Sequence, residues 1–135
     1  MIVVDASVAL AWCLSDEKDD VAESVLELVA GEGGMAPAHW PLEVANGLLA
    51  AERRGRLTAD ETSRAQRLLL GLGVDIVPVE LSTAAGSVLD TGRDLGLTTY
   101  DAAYLDLARY RGIPLATLDQ DLARACRVAG VPLAA

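Results

Sequence analysis

The chain opens Met1-Ile2-Val3-Val4-Asp5-Ala6-Ser7, an apolar, β-branched run that breaks on a carboxylate and two small residues. Such a run reads as a short strand buried on both faces, because Ile and Val pack well on a pleated surface. Working outward, comparable strand signals fall near Met35-Ala36, at Asp75 to Val79, at Ile113 to Leu118 and at Val131 to Leu133. Segments with helical apolar spacing lie between them. Strands alternating with helices predict an α/β fold with a parallel sheet of four to five strands flanked by helices, all in one domain spanning residues 1–135.

Helix boundaries follow from local chemistry. About Lys18 to Ala30 carries Val21, Val25, Leu28 and Val29 at helical spacing, with acids at its start and Gly31, Gly33 and Gly34 at its end. Pro41 opens a helix through Arg54, stopped by Gly55. Thr58 and Glu61 form a capping box for a helix ending at Gly73. Ser82 is expected to cap a helix through Leu95, and Thr98 or Thr99 one from Tyr100 to Arg111. A last helix is expected over Asp119 to Ala129.

Composition bounds the function. With 135 residues and 52% hydrophobic content, the chain can bury a core without disulfides or metal staples. No apolar stretch approaches the roughly 20 residues needed to span a bilayer. Met1 to Val4 lacks a basic leader, so a cytoplasmic protein is expected rather than a secreted or membrane one. Cys13 and Cys126 are far apart and read as reduced thiols. Eleven Lys and Arg against 20 Asp and Glu give a net charge of −9, which argues against nucleic acid as a partner unless metal neutralises some acids or the basic residues are locally concentrated.

The acids are not evenly spread in function. In a parallel sheet the strands end at one edge, and ligands bind there. Asp5 and Asp119 each follow a strand directly, Glu43 lies in the first turn of a helix leaving the second strand, and Asp101 opens a helix that runs back along the sheet. Connectivity therefore brings all four to one edge. Asp75 starts a strand and falls at the opposite edge, while Asp60 and Glu61 are explained by capping. Asp101 heads a stripe with Leu105 and Ala108 that should face the sheet. Glu43 shares its face with Asn46, Gly47 and Ala50, which leaves room for a ligand. Each acid also has a plain structural account, as a cap, a turn residue or a carboxylate at a helix N-terminus. Jointly, four anions repel one another and need a cation or bound protons. Oxygen donors without a paired His or Cys favour Mg²⁺ or Mn²⁺, the metals of phosphodiester cleavage.

At Ile2-Val-Val-Asp5-Ala-Ser7, Pro41-Leu-Glu43-Val-Ala-Asn46, Tyr100-Asp101-Ala-Ala-Tyr104 and Ala116-Thr117-Leu-Asp119 the chain resembles the PIN-domain ribonucleases, most of all the VapC-type toxins of toxin–antitoxin pairs. The resemblance spans the whole chain. It implies Asp5, Glu43, Asp101 and Asp119 as an acidic quartet holding one or two Mg²⁺ or Mn²⁺ ions. Ser7, Thr117 and Asn46 match supporting positions, and Asp121 is a further candidate ligand. It also implies hydrolysis of single-stranded or loop RNA, a homodimer, and a cognate antitoxin whose tail covers the site.

Other features carry less. Arg53, Arg54, Arg56, Arg109 and Arg111 end helices, where cations suit the dipole and lie away from the acidic edge. Trp12 and Trp40 read as core or interface before base-stacking residues. The single histidine, His39, reads as structural or solvent-facing, and it excludes a ribonuclease built on paired histidines. Two readings stand beside the ribonuclease toxin: a noncatalytic α/β interaction module for a basic partner, and a metal-dependent phosphatase or DNA nuclease.

Overall fold

A computed structural model describes residues 1–14, 16 and 19–134. In chain order the elements are β1 (Ile2–Val4), α1 (Ala6–Cys13), α2 (Asp20–Glu32), β2 (Gly34–Pro37), α3 (Trp40–Arg53), α4 (Ala59–Leu72) and β3 (Asp75–Val77). There follow α5 (Leu81–Thr83), a π-helical stretch (Ala84–Val88), α6 (Leu89–Leu95), α7 (Thr99–Arg111), β4 (Leu115–Ala116) and α8 (Gln120–Ala129). The four strands form one parallel sheet in the order β3-β2-β1-β4.

That order explains where a site can form. From β1 the chain builds outward through β2 to β3, then returns to place β4 on the other flank of β1. The C-terminal ends of β1 and β4 thus mark the topological switch point, where helices diverge and leave a crevice. Val3 pairs with Met35 on one side and Leu115 on the other, and the register continues with Val4 beside Ala116. The backbone N–H of Asp5 then donates to Ala116 O at 3.2 Å, so the residue after β1 is tied to the end of β4.

Burial follows the aliphatic composition. Val3, Val4, Val25, Leu105, Leu115 and Leu122 are fully buried, and α7 lies across β1 and β2 through Leu105 and Ala108. Asp101 does head that inward stripe, as its spacing predicts. The capping box is present: Glu61 N–H donates to Thr58 Oγ1 and Thr58 N–H to Glu61 Oε1, each at 3.1 Å. Thr98 caps α7 by accepting from Asp101 N–H, and Gly96, in the left-handed region at φ 67°, makes the turn that separates α6 from α7.

Several boundaries differ from the sequence expectation. Ala6–Cys13 is a helix with no counterpart in the strand-and-turn reading; its Val8, Ala9 and Ala11 are all buried, so no polar face marks it as helical. The next helix starts at Asp20, capped by the Asp19 side chain, and Gly31 lies inside it, while Lys18 lies outside the described residues. Ser82 is not a cap, because extended Glu80 takes the N-cap position of α5 two residues earlier. Strands β3 and β4 are shorter than expected where Pro78 and Pro114 withhold a ladder N–H. Past β4, the Thr117 hydroxyl donates to the Asp5 carboxylate and accepts from the Asp119 N–H. Val131 to Leu133 contributes one bridge, Leu133 to Leu115, with Pro132 again unable to donate. Gly47 makes no ligand space either, since a Cβ there would meet Leu10 Cδ1 at 2.5 Å; α1 packs where a ligand was expected.

Leu105 is a fully buried core residue of α7, the helix that packs on β1 and β2. Leu105→Ala is expected to destabilise the fold by about 2–5 kcal/mol through the cavity it leaves, read as a lower urea midpoint with an unchanged slope.

Candidate active site

Asp5 is the anchor. It is the N-cap of α1 and only 4% exposed. Its Oδ1 accepts from Ser7 Oγ at 2.6 Å and Val8 N–H at 3.1 Å, and its Oδ2 accepts from the Thr117 hydroxyl. The two hydroxyls reach across to β4's exit: Ser7 Oγ accepts from Leu118 N–H at 2.9 Å, and Thr117 Oγ1 from Asp119 N–H at 3.0 Å. Burial pushes the Asp5 carboxyl up to about 6 against the opposing pull of these hydrogen bonds, with the Asp101 charge adding to the rise.

The other acids arrive at helix starts. Asp119 is exposed and caps α8, its Oδ1 accepting from Leu122 N–H at 3.0 Å. Asp101 lies in the first turn of α7 and is partly buried; its carboxyl is raised by burial, then by Asp119 and Glu43, with His39 opposing and Asp121 adding. Glu43 lies in the first turn of α3, and its Oε1 accepts from Tyr104 Oη at 2.8 Å. His39 Nε2 lies 3.1 Å from the same oxygen. The four sequence-selected carboxylates therefore share one electrostatic neighbourhood at the β1–β4 switch.

They do not form a finished cage. Among the described residues, no three His, Cys, Asp or Glu side chains are placed to hold one metal ion together. The donor set itself, all carboxylate oxygen, suits a hard cation. Asp121 touches this neighbourhood electrostatically, but its exposed carboxylate pairs with Arg124 at 2.8 Å. Asn46 is exposed one turn beyond Glu43.

Two residues escaped the sequence reading of the site. His39 faces Glu43 and the Tyr100 carbonyl rather than bare solvent, and Tyr104, although inside a quoted motif, had no assigned part. Their partners are 61 residues away in the chain, so no local spacing reveals them. The one local signal is His39 four residues before Glu43, a spacing that brings side chains together on a helix. Trp40 is core, and Trp12 Nε1 donates to Ala22 O at 2.7 Å, joining α1 to α2. Both cysteines are free, and burial pushes each up to about 11.

The raised Asp5 carboxyl gives a pH-dependent prediction. A carboxyl that holds its proton more tightly when folded contributes stability below the unfolded value near 3.8 and loses it as pH rises through about 6. In EDTA, Asp5→Asn should therefore be more stable than the parent by up to about 3 kcal/mol at about pH 8, with the advantage gone below about pH 4. Urea unfolding at both pH values checks this; equal parent and variant stability at the higher pH refutes it.

Residues 2–128 match the PIN domain. The chain is 32% identical over 122 residues to Ribonuclease VapC3 of Pyrobaculum aerophilum, covering 90% of this chain and 92% of that one. Among solved structures it is similar to PAE2754 of Pyrobaculum aerophilum, at 26% identity and a TM-score of 0.66 over 92% of this chain and 84% of that one. It also shares its fold with a chain of a toxin–antitoxin complex from Klebsiella pneumoniae, at 15% identity and a TM-score of 0.62 over 91% of each. With the acids gathered at the switch point of a four-stranded parallel sheet, the chain belongs to the PIN domain family.

Proposed function

We propose that the chain is a Mg²⁺- or Mn²⁺-dependent endoribonuclease, the toxin of a toxin–antitoxin pair. The observation that carries the reading is the meeting of Asp5, Glu43, Asp101 and Asp119, with Asp101 raised by burial and then by Asp119 and Glu43. The ribonuclease part draws on the relative that bears that name, and the antitoxin part on the neighbour solved as a toxin–antitoxin complex. A homodimer and a cytoplasmic setting complete the reading. Among the described residues, no helix is long and apolar enough to cross a membrane.

The four carboxylates would hold the cation, with Asp121 a peripheral acid. Bound there, the ion supplies an acidified water and a positive charge for the phosphodiester at cleavage. The chain's own residues prepare that place. Ser7 and Thr117 fix both oxygens of Asp5 and, through Leu118 and Asp119 N–H, hold the β4 exit against it. Tyr104 and His39 hold Glu43 from the other side.

Asp5→Asn removes one anion while keeping the side chain's shape, so it should lower RNA cleavage by at least about 100-fold with the fold intact. Metal-dependent cleavage that survives in this variant sinks the assignment. Saturating Mn²⁺ should also raise the parent's thermal stability, by about 2.7 kcal/mol at 100 times the dissociation constant. A parent with neither Mn²⁺-linked stabilisation nor RNA turnover is the noncatalytic module instead. Faster turnover of DNA or phosphate monoesters would move the substrate away from RNA.

A further inference from the structure

Glu43 and Asp101 stand on different helices, and nothing in their charges draws them together. Two side chains bridge the gap. The Tyr104 hydroxyl, one turn beyond Asp101 on α7, donates to Glu43 Oε1 at 2.8 Å. His39 Nε2 lies 3.1 Å from that same oxygen and 3.0 Å from the carbonyl of Tyr100, the residue before Asp101. Neither acceptor carries a hydrogen, so Nε2 holds the proton and shares it between α3's acid and α7's first turn. Among the described residues no hydrogen bond falls on Glu43 Oε2.

The bridge is fixed in place. Tyr104 is 1% exposed, and its hydroxyl donates to Glu43 from within the core. The His39 ring sits 4.9 Å from the Tyr104 ring, tilted 59°, and 5.8 Å from Tyr100. Both donors load one oxygen of Glu43, and among the described residues the other accepts no hydrogen bond.

We propose that His39 and Tyr104 are positioning residues, which hold Glu43 by Oε1 against the start of α7 and so prepare its carboxylate for a divalent cation. This rests on the metal-dependent reading above. Neither residue touches substrate; each acts through Glu43.

The test titrates the full chain with Mn²⁺ alone by calorimetry, and measures RNA cleavage at low and saturating Mn²⁺. Tyr104→Phe and His39→Ala should each weaken Mn²⁺ binding by roughly 10–100-fold. Their cleavage rates should fall at low Mn²⁺ and recover as the metal saturates. His39→Gln, whose amide N–H reaches the region of Nε2, should restore Mn²⁺ affinity. Melting in EDTA reports packing separately from metal affinity. Unchanged Mn²⁺ affinity in both variants, or His39→Gln as weak as His39→Ala, overturns the inference while the parent still binds metal. A parent that binds no Mn²⁺ overturns the ribonuclease reading and this inference together.

Discussion

Asp5 is a carboxylate taken almost wholly out of water at the centre of the sheet, and the surrounding structure is arranged around keeping it there. Desolvation penalises its charged form, and the hydrogen bonds from Ser7, Thr117 and Val8 only partly offset that penalty. Those bonds also carry the topology. Because both hydroxyls accept from backbone N–H groups beyond β4, the same interaction that solvates Asp5 fixes how β4's exit meets β1's. A side chain there with no acceptor would release both hydroxyls, which join segments over one hundred residues apart.

The remaining acids reach the crevice under a common rule. Asp5 and Asp119 are N-caps, while Glu43 and Asp101 lie in first turns, so all four anions sit at helix starts. The partial positive charge of each start favours an anion by around 0.3–1 kcal/mol. The plain account of each acid as a helix-end carboxylate and the joint account as a ligand set are therefore complementary. Helix starts make the cluster tolerable to a folded chain without metal, and a switch-point crevice makes four such starts converge.

Much of this was legible in the sequence, because it depends on connectivity. Asp5 after Val4 and Asp119 after the last strong strand fall at the same edge in any parallel sheet, and Thr58 with Glu61 needs no tertiary contact. The first helix was hidden because Ala6–Cys13 is buried on several sides and presents no amphipathic stripe. Gly47 misled for a related reason: a small residue facing the site signals space only until the neighbouring helix is known, and Leu10 fills it. His39 and Tyr104 were illegible because their significance is a distance between α3 and α7. Spacing within either helix does not encode it.

The net charge of −9 is where local and global arguments meet. Four arginines are engaged with acids: Arg56 with Asp16, Arg109 with Asp106, Arg93 with Asp90, and Arg124 with Asp121 beside the crevice. Helix α3, with 14 residues, carries Arg53 about 15 Å along its axis from Glu43 at 1.5 Å per residue. Such cations cannot screen a polyanion entering at the acidic edge, since charge effects between exposed groups fade beyond about 8–10 Å at ordinary salt. On the proposed reading, the cation held by the acids must then do for the substrate phosphate what arginines do elsewhere. Metal binding and RNA binding become one linked event, and an acidic chain ceases to be at odds with an anionic substrate.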